Sequence, residues 1–554
     1  MKKELEVAVG DAVQQLYGIE TVVELDRPEE KFGDYATNVA LQIAKDLQKN
    51  PRVIAEELSA KLTETLGGKV DDISIAGPGF INMKLSNTTL VQAVATQPER
   101  SLAGQTIVAE YSDPNPFKVL HAGHLYTSVV GDAIANLLEE AGGTVHRVNF
   151  GGDVGLHVGK TMWAILKEFA GEYPEKLDQI PTEEHADWMA KAYVAGTQAY
   201  EADEEAKVEI TALNKRIYRL HSDDDRDSPF AQIYWKCRDW SYAYFDAFYA
   251  RIGSSFEKYY PESLTAPVGL ATVRQHIGDV YEESNGAIIF DGEKYDLHTR
   301  VFINSEGLPT YEAKDVGLIM LKDQDYHFDR SVIITASEQE QYMQVVLKSI
   351  EQFAPNLSNA TTHLTHGMVK LKGGVKMSSR KGNFLRAVDV LDVAGEAAQA
   401  LSAQNDEQTV LGAVKYAFLK NRMGGDIVYD PEESVSMEGN SGPYLQYAHA
   451  RARSILAKLD SVAELTNNIE DDERSLVRKI SEYPEVVDKA VAGLMPHYIA
   501  TYLYELAQVF NRFYEHNRVI GDDRQEIRLA LVKKYADTLK AGLGLLGITA
   551  PDRM

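Results

Sequence analysis

The stretch from 106 to 150, TIVAEYSDPNPFKVLHAGHLYTSVVGDAIANLLEEAGGTVHRVNF, restricts the fold more than any other part of the chain. A β-branched run over 106–111 enters a proline-rich loop, and a helical pattern follows. Val130, Ile134, Leu137, Leu138 and Ala141 recur on one helical face, Gly142 and Gly143 close it, and TVHRVNF (144–150) reads as a second strand. Strand, loop, helix, strand over this length is a βαβ unit, which forces its two strands to lie parallel in a buried sheet. A second unit comes late: SVIITA (331–336), a helix with Met343, Val346, Ile350 and Phe353 on one face, then HLTHGMVKL (363–371).

These units predict an α/β fold with a Rossmann-type parallel sheet over 96–404. The segment from about 160 to 300 reads as a mostly helical insertion, with 287–303 as a hairpin. Residues 1–95 read as a small α/β unit, with a helix over NPRVIAEELSAKLTETL (50–66) and strands around the Gly-Pro-Gly turn of VDDISIAGPGFINMKL (70–85). Beyond 405 the pattern is helical, predicting an all-α bundle over 405–554. A chain of 554 residues is too long for one core, so several domains are expected.

The single cysteine, Cys237, excludes a disulfide framework and a zinc site built mainly of thiolates. No stretch approaches eighteen apolar residues and the N-terminus lacks a signal-peptide profile, so a cytoplasmic chain with no membrane partner is expected. A net charge of -26 argues against a non-specific nucleic-acid coat. The charge is uneven, however. Residues 440–554 hold 15 Lys and Arg against 16 Asp and Glu, so the C-terminal bundle can present a basic face.

His121 and His124, three apart with Gly123 between them, stand where the first strand's loop meets its helix. Three roles compete. A metal pair needs further ligands, and neither an HExxH glutamate nor a cysteine accompanies them. The imidazoles can instead simply cap the helix. Or, at the strand-to-helix junction that favours anions, two ring N–H groups can hold a triphosphate, with Gly123 letting the nucleotide lie against backbone. A second loop, VKMSSRKGNF (375–384), follows the last strand of the second unit and favours the phosphate reading.

Together these blocks resemble the class I aminoacyl-tRNA synthetases. HAGH is similar to their HIGH motif and KMSSR to their KMSKS loop, and the likeness is specifically to arginyl-tRNA synthetases. FGDYATNVALQIAK, NPRVIAEEL and GPGFIN resemble that family's N-terminal domain. GLPTYEAKDVGL resembles a later catalytic block, and GNSGPYLQYAHARARSI with LLGITAPDRM resembles its helical anticodon-binding domain.

The resemblance implies that ATP and L-arginine form arginyl-adenylate, with Mg²⁺ on the pyrophosphate, and that arginine then passes to the 3′ end of tRNA(Arg). His121, His124 and Gly123 would meet the phosphates with Lys376, Met377 and Ser378. Ser379 stands where many class I enzymes carry a second lysine. Lys118 or Lys381 would supply the missing charge. Glu110, Asp315 and Tyr311 would form the guanidinium pocket, while Asn115 and Gln339 would hold the α-amino and carboxylate end. Phe80 and Asn82 would read a D-loop base. Tyr444, Gln446, Tyr447, His449 and Arg451, or Phe510, Phe513 and Tyr514, would meet the anticodon. Asp113, Phe117, Val154 and His157 depart from the family's usual residues. The likeness further implies a monomer, no resident metal and no editing domain.

Overall fold

A computed structural model describes residues 1–372, 385–401, 406–458 and 463–554. The first βαβ unit forms as its pattern requires. Strand β1 (Thr106–Glu110) leads into helix α1 (Ala122–Glu140), and β2 (Thr144–Gly151) returns parallel to β1. The second unit runs from β4 (Arg330–Ala336) through α4 (Glu340–Glu351) to β5 (Thr361–His366), also parallel. With β3 (Lys258–Pro261) at the far edge, the sheet order is β5-β4-β1-β2-β3. The chain moves outward in opposite directions from β1 and β4. Their carboxyl ends therefore border a switch point, where open α/β sheets leave a crevice.

Two sequence expectations need correction. Strand β3 lies inside the segment read as a helical insertion, yet it belongs to the parallel sheet, pairing with β2. Four residues ending in proline carry too little periodicity to announce a strand. HLTHGMVKL is also not one strand. The parallel sheet ends at His366, and Val369–Leu371 pairs instead with Ile427–Tyr429, a strand in a region expected to be helical throughout. The break falls at Gly367, where a Cβ would come within 2.3 Å of the Gly425 backbone.

The rest of the insertion is helical (Leu156–Phe169, His185–Ala202, Glu204–Ser222, Pro229–Ile252), and Ala287–Phe290 pairs antiparallel with Arg300–Ile303 as the expected hairpin. Helix α2 (Glu262–Gln275) crosses α3 (Tyr311–Tyr326) so closely that a Cβ on Gly269 or Gly317 would strike the facing backbone, at 1.8 Å from the Ala313 oxygen and 2.1 Å from the Thr265 oxygen. That contact fixes the start of α3, which carries Tyr311 and Asp315, against β3 and the crevice.

At the N-terminus an antiparallel sheet (Tyr35–Thr37, Phe80–Leu85 and Val70–Ala76, in that spatial order) packs on helices that include Pro51–Thr65. The C-terminal helices include α5 (Gly442–Leu456), α6 (Asp471–Ser481), α7 (His497–His516) and α8 (Gln525–Leu545). Among the described residues no helix is long and apolar enough to cross a membrane.

The N-terminal sheet and the C-terminal helices meet across one buried carboxylate. Asp34 accepts hydrogen bonds from both terminal nitrogens of Arg474 (3.2 and 2.7 Å) and from the Leu85 N–H (2.7 Å), and it pairs with Arg478 at 3.3 Å. Removing one partner of such a cluster strands the others without solvent. Asp34→Ala is expected to cost about 3–5 kcal/mol at this contact. Hydrogen exchange checks it: protection falls in 80–85 and α6 while β1, β2 and β4 keep theirs.

Candidate active site

The crevice beside β1 and β4 holds a cavity of about 580 Å³, a size suited to a small-molecule site. His121, Gly123 and His124 form one wall, and Glu110, Asn115, Tyr311, Asp315 and Gln339 all open onto the same space. The fold thus gathers these eight residues, which stand up to 339 − 110 = 229 positions apart.

His121 is the N-cap of α1, and both imidazoles do cap the helix. The Gly123 N–H donates to His121 Nδ1 and the His121 N–H to His124 Nδ1, each at 3.1 Å. An Nδ1 that accepts from backbone carries no proton, so the proton of each neutral ring sits on Nε2. The rings lie 3.7 Å apart. Burial pushes His121 down to about 4, with Lys118 and His366 adding to it, and burial with His121, Lys118 and His366 pushes His124 well below the usual range. Capping and anion binding are therefore one arrangement: Nδ1 holds the helix and Nε2–H is left as a donor. Gly123 matters for the rings themselves, because a Cβ there would lie 2.8 Å from the His121 ring.

Lys118 shares a small recess with both histidines and with Tyr193, whose ring its ammonium faces at 4.8 Å. Burial lowers Lys118 to about 8, partly opposed by Glu262. The loop that carries it is strained. Ser112, Asp113 and Phe117 all take left-handed backbone (φ 75°, 50° and 67°), which costs of order 1–3 kcal/mol per residue. Hydrogen bonds hold it so: Ser112 Oγ meets Tyr249 Oη at 2.8 Å, the Phe150 N–H donates to Asp113 at 2.8 Å, and the Gly152 N–H donates to Asn115 Oδ1 at 2.8 Å. Phe117 stacks on Tyr234.

The other wall is acidic. Glu110 is buried in an ion pair with Lys322, and Glu262 in one with Lys314. Glu110 opens onto the cavity with its charge already matched by Lys322. Asp315 has no such cation among the described residues. Burial raises its pKa well above the usual carboxylate range, with Glu110, Glu262 and Asp113 adding to the effect. Tyr311 borders the same cavity as Asp315, is 60% exposed, and has Lys314 over its ring at 5.1 Å. Gln339 is exposed at the rim. Val154 is buried in the insertion core, and His157 Nε2 contacts the Gly152 carbonyl at 2.7 Å.

Sequence reading missed Lys322, Glu262 and His366, which carry no motif, and Lys314, which lies within the GLPTYEAKDVGL block but was given no role. Lys376, Met377, Ser378, Ser379 and Lys381 lie outside the described residues. Among the described residues no group of three or more His, Cys, Asp and Glu side chains gathers to hold a metal ion.

At the distal ends, Phe80 is 41% exposed beside the Gly-Pro-Gly turn, whereas Asn82 is buried. Gln446 and His449 are corrected as anticodon contacts. Gln446 donates to the Thr549 carbonyl (2.9 Å), and His449 Nδ1 meets the Pro551 carbonyl (2.8 Å), so the C-terminal segment covers both. Phe510 and Phe513 are core, with Phe510 stacked on Tyr535 at 3.8 Å. Tyr447 and Arg451 remain exposed and Tyr444 half-buried, with Arg451 over the Tyr514 ring at 4.5 Å.

Comparison with known proteins follows this layout. Residues 85–430 match the family described as tRNA synthetases class I (R), catalytic domain. Residues 445–554 match the DALR anticodon binding domain, and 1–85 the arginyl tRNA synthetase N-terminal domain. Over their full lengths, the chain is 28% identical to an arginine–tRNA ligase of Phocaeicola vulgatus. It is also 28% identical to one of Flavobacterium psychrophilum, across 99% of both chains. The structure superposes on Thermus thermophilus arginyl-tRNA synthetase with a TM-score of 0.83 at 25% identity, covering all of both chains. The Plasmodium falciparum arginyl-tRNA synthetase has the same fold, with a TM-score of 0.79, 21% identity, and 100% and 99% coverage. By its catalytic, N-terminal and anticodon-binding regions alike, the chain belongs to the arginyl-tRNA synthetases of class I.

Proposed function

We propose that this chain is an ATP-dependent arginine–tRNA ligase whose chemistry runs in the crevice between β1 and β4. One observation carries the reading: two N–H-donating imidazoles, with Lys118 in the recess beside them, form one wall of the cavity, and a buried carboxylate without an ion pair among the described residues stands on the other. That is a place for a polyphosphate beside a place for a cation.

In the first step the arginine carboxylate attacks the α-phosphorus of ATP. The bond to the bridging oxygen breaks and pyrophosphate leaves, giving the mixed anhydride. No covalent enzyme intermediate is needed, so the site contributes position and charge. Nε2–H of His121 and His124 donates to phosphate oxygens, with Lys118 beside them. Asp315 takes the guanidinium through charge-assisted hydrogen bonds. Asn115 Oδ1 already accepts from Gly152, so its amide N–H₂ group faces the substrate carboxylate, and Gln339 closes the amino-acid end from the rim. In the second step the tRNA 3′-terminal hydroxyl attacks the activated carbonyl and AMP leaves. Magnesium bound with ATP would supply positive charge to the leaving pyrophosphate.

The domain reading remains 1–95 for the N-terminal tRNA-binding unit, 96–404 for the catalytic unit and 405–554 for the anticodon-binding unit, in a cytoplasmic monomer. Phe80 stacks on an unpaired tRNA base, and Tyr444, Tyr447 and Arg451 meet the anticodon.

Three measurements test this reading. With total tRNA and each amino acid in turn, only arginine is charged, and ATP–pyrophosphate exchange needs tRNA because Ser379 leaves the second loop without its usual lysine; exchange without tRNA contradicts the latter. Asp315→Asn raises the arginine KM at least about tenfold, from the loss of 1.5–3 kcal/mol or so of charge-assisted bonding, while the ATP KM moves little; an arginine KM within about twofold of wild type removes Asp315 from the pocket. Lys118→Ala lowers kcat of activation about 10²–10³-fold, with Lys381→Ala as the competing loss. The sign with pH follows from the lowered Lys118. Its charge is present below about 8 and lost above, so kcat/KM for ATP falls as pH rises through that value, and Lys118→Arg removes the fall.

A further inference from the structure

Behind the histidine pair lies a third histidine that the proposed chemistry does not use. His366 ends β5, in register with Ala336 of β4, and is buried against α1. Two short contacts join it to the start of α1, and a third holds its other ring nitrogen. His366 Nδ1 meets the Gly367 carbonyl at 2.8 Å, His366 Nε2 meets Thr127 Oγ1 at 2.6 Å, and Thr127 Oγ1 meets the Gly123 carbonyl at 2.8 Å.

Counting hydrogens decides what this chain of contacts requires. A carbonyl only accepts, so the first contact needs a proton on Nδ1, and the last consumes the single hydroxyl proton of Thr127. The middle contact is then left to a proton on Nε2. With the ring neutral and protonated at Nδ1, as in the ATP-free protein, Thr127 has one hydrogen for two acceptors and one of its two contacts goes without. With the ring neutral and protonated at Nε2, two lone pairs face each other across 2.8 Å at Gly367. Only the imidazolium gives every contact its hydrogen.

His121 and His124 differ in this respect, because a proton on either Nδ1 would eject a backbone N–H from its cap. We infer that His366 takes up a proton when ATP binds, and that the imidazolium, acting through Thr127 on the Gly123 carbonyl, holds the phosphate-binding start of α1 in place. His366 is thus a positioning residue, and the inference rests on the phosphates lying at His121 and His124.

The electrostatics agree. In the ATP-free protein burial lowers the His366 pKa, opposed in part by the Gly367 carbonyl, so the ring is mostly neutral near neutral pH. The titratable groups facing it are His121, His124 and Tyr126 of α1, the last edge-on at 4.7 Å. Ala336 on β4 carries none, and neither ring nitrogen has a carboxylate partner. Nothing anionic in the described contacts stabilises the cation until a polyphosphate enters the cavity that His366 lines.

Calorimetry of Mg–ATP binding to the full chain, near neutral pH in two buffers of different ionisation heat, counts the protons exchanged. Wild type is expected to take up on the order of one proton per ATP. His366→Gln, which keeps a donor for Thr127 without the charge, should still bind ATP, a fewfold more weakly, with uptake near zero. Ring ¹⁵N spectra should place both His366 nitrogens in the protonated range only with ATP bound, and that signal disappears in the variant. ATP binding without proton uptake, or uptake unchanged in His366→Gln, overturns the inference and leaves the phosphate site standing. No ATP binding by the wild type at all overturns both.

Discussion

The catalytic arrangement depends on two backbone N–H groups at the start of α1. A helix begins with N–H groups that lack intrahelical partners, and here two of the backbone N–H groups at that end go to imidazole Nδ1 atoms instead of to a hydroxyl or carboxylate. That choice fixes the tautomer of both rings and turns their remaining protons toward the crevice. It also explains the spacing. His121 must be the N-cap and His124 the third helical residue, and the residue between must lack a Cβ for the first ring to fold over it. The same geometry that ends the loop thus creates the phosphate-facing donors.

Opposite that wall, charge is arranged by subtraction. The crevice gathers Glu110, Asp113, Glu262 and Asp315, which would repel each other if all were left ionised. Lys322 and Lys314, both buried, cancel two of them. Asp113 and Asp315 remain, burial raises both well above the usual carboxylate range, and Asp315 opens onto the cavity from α3, which the tight crossing of α2 holds in place. In the proposed reading a cationic side chain entering there favours the ionised form of Asp315, offsetting the burial that raises it. In that reading an apolar or neutral side chain of similar size leaves the carboxylate without a partner, so charge pairing would separate arginine from its neighbours.

At the far ends, recognition surfaces are set by what covers what. The terminal helix and the segment after it fold back on α5, taking Gln446 and His449 into backbone contacts and leaving Tyr447 and Arg451 outside. α1 itself touches this region, since Asn136 donates to the Gly544 and Leu545 carbonyls. The Asp34 cluster ties the N-terminal sheet to α6. Helix α1 is therefore in physical contact with the C-terminal helices, and these with the N-terminal sheet.

The sequence by itself determined whatever is local or periodic. Helical spacing of Val130, Ile134 and Leu138, alternation around β1 and β2, and the glycine-bounded turns are properties of neighbours along the chain, so the parallel sheet and the position of HAGH at a strand-to-helix junction could be read directly. The motif residues His121, Gly123 and His124 were legible for the same reason, and Asp315 through its block. Strand β3, the cancelling lysines, the exposure of Tyr311, the burial of Gln446 and the three-contact chain at His366 were not. Each depends on which residue from a distant segment arrives beside it, as with the 212 positions between Glu110 and Lys322. Only the tertiary structure decides these, because burial and hydrogen-bond partnership belong to pairs in space, whereas periodicity and capping belong to the chain.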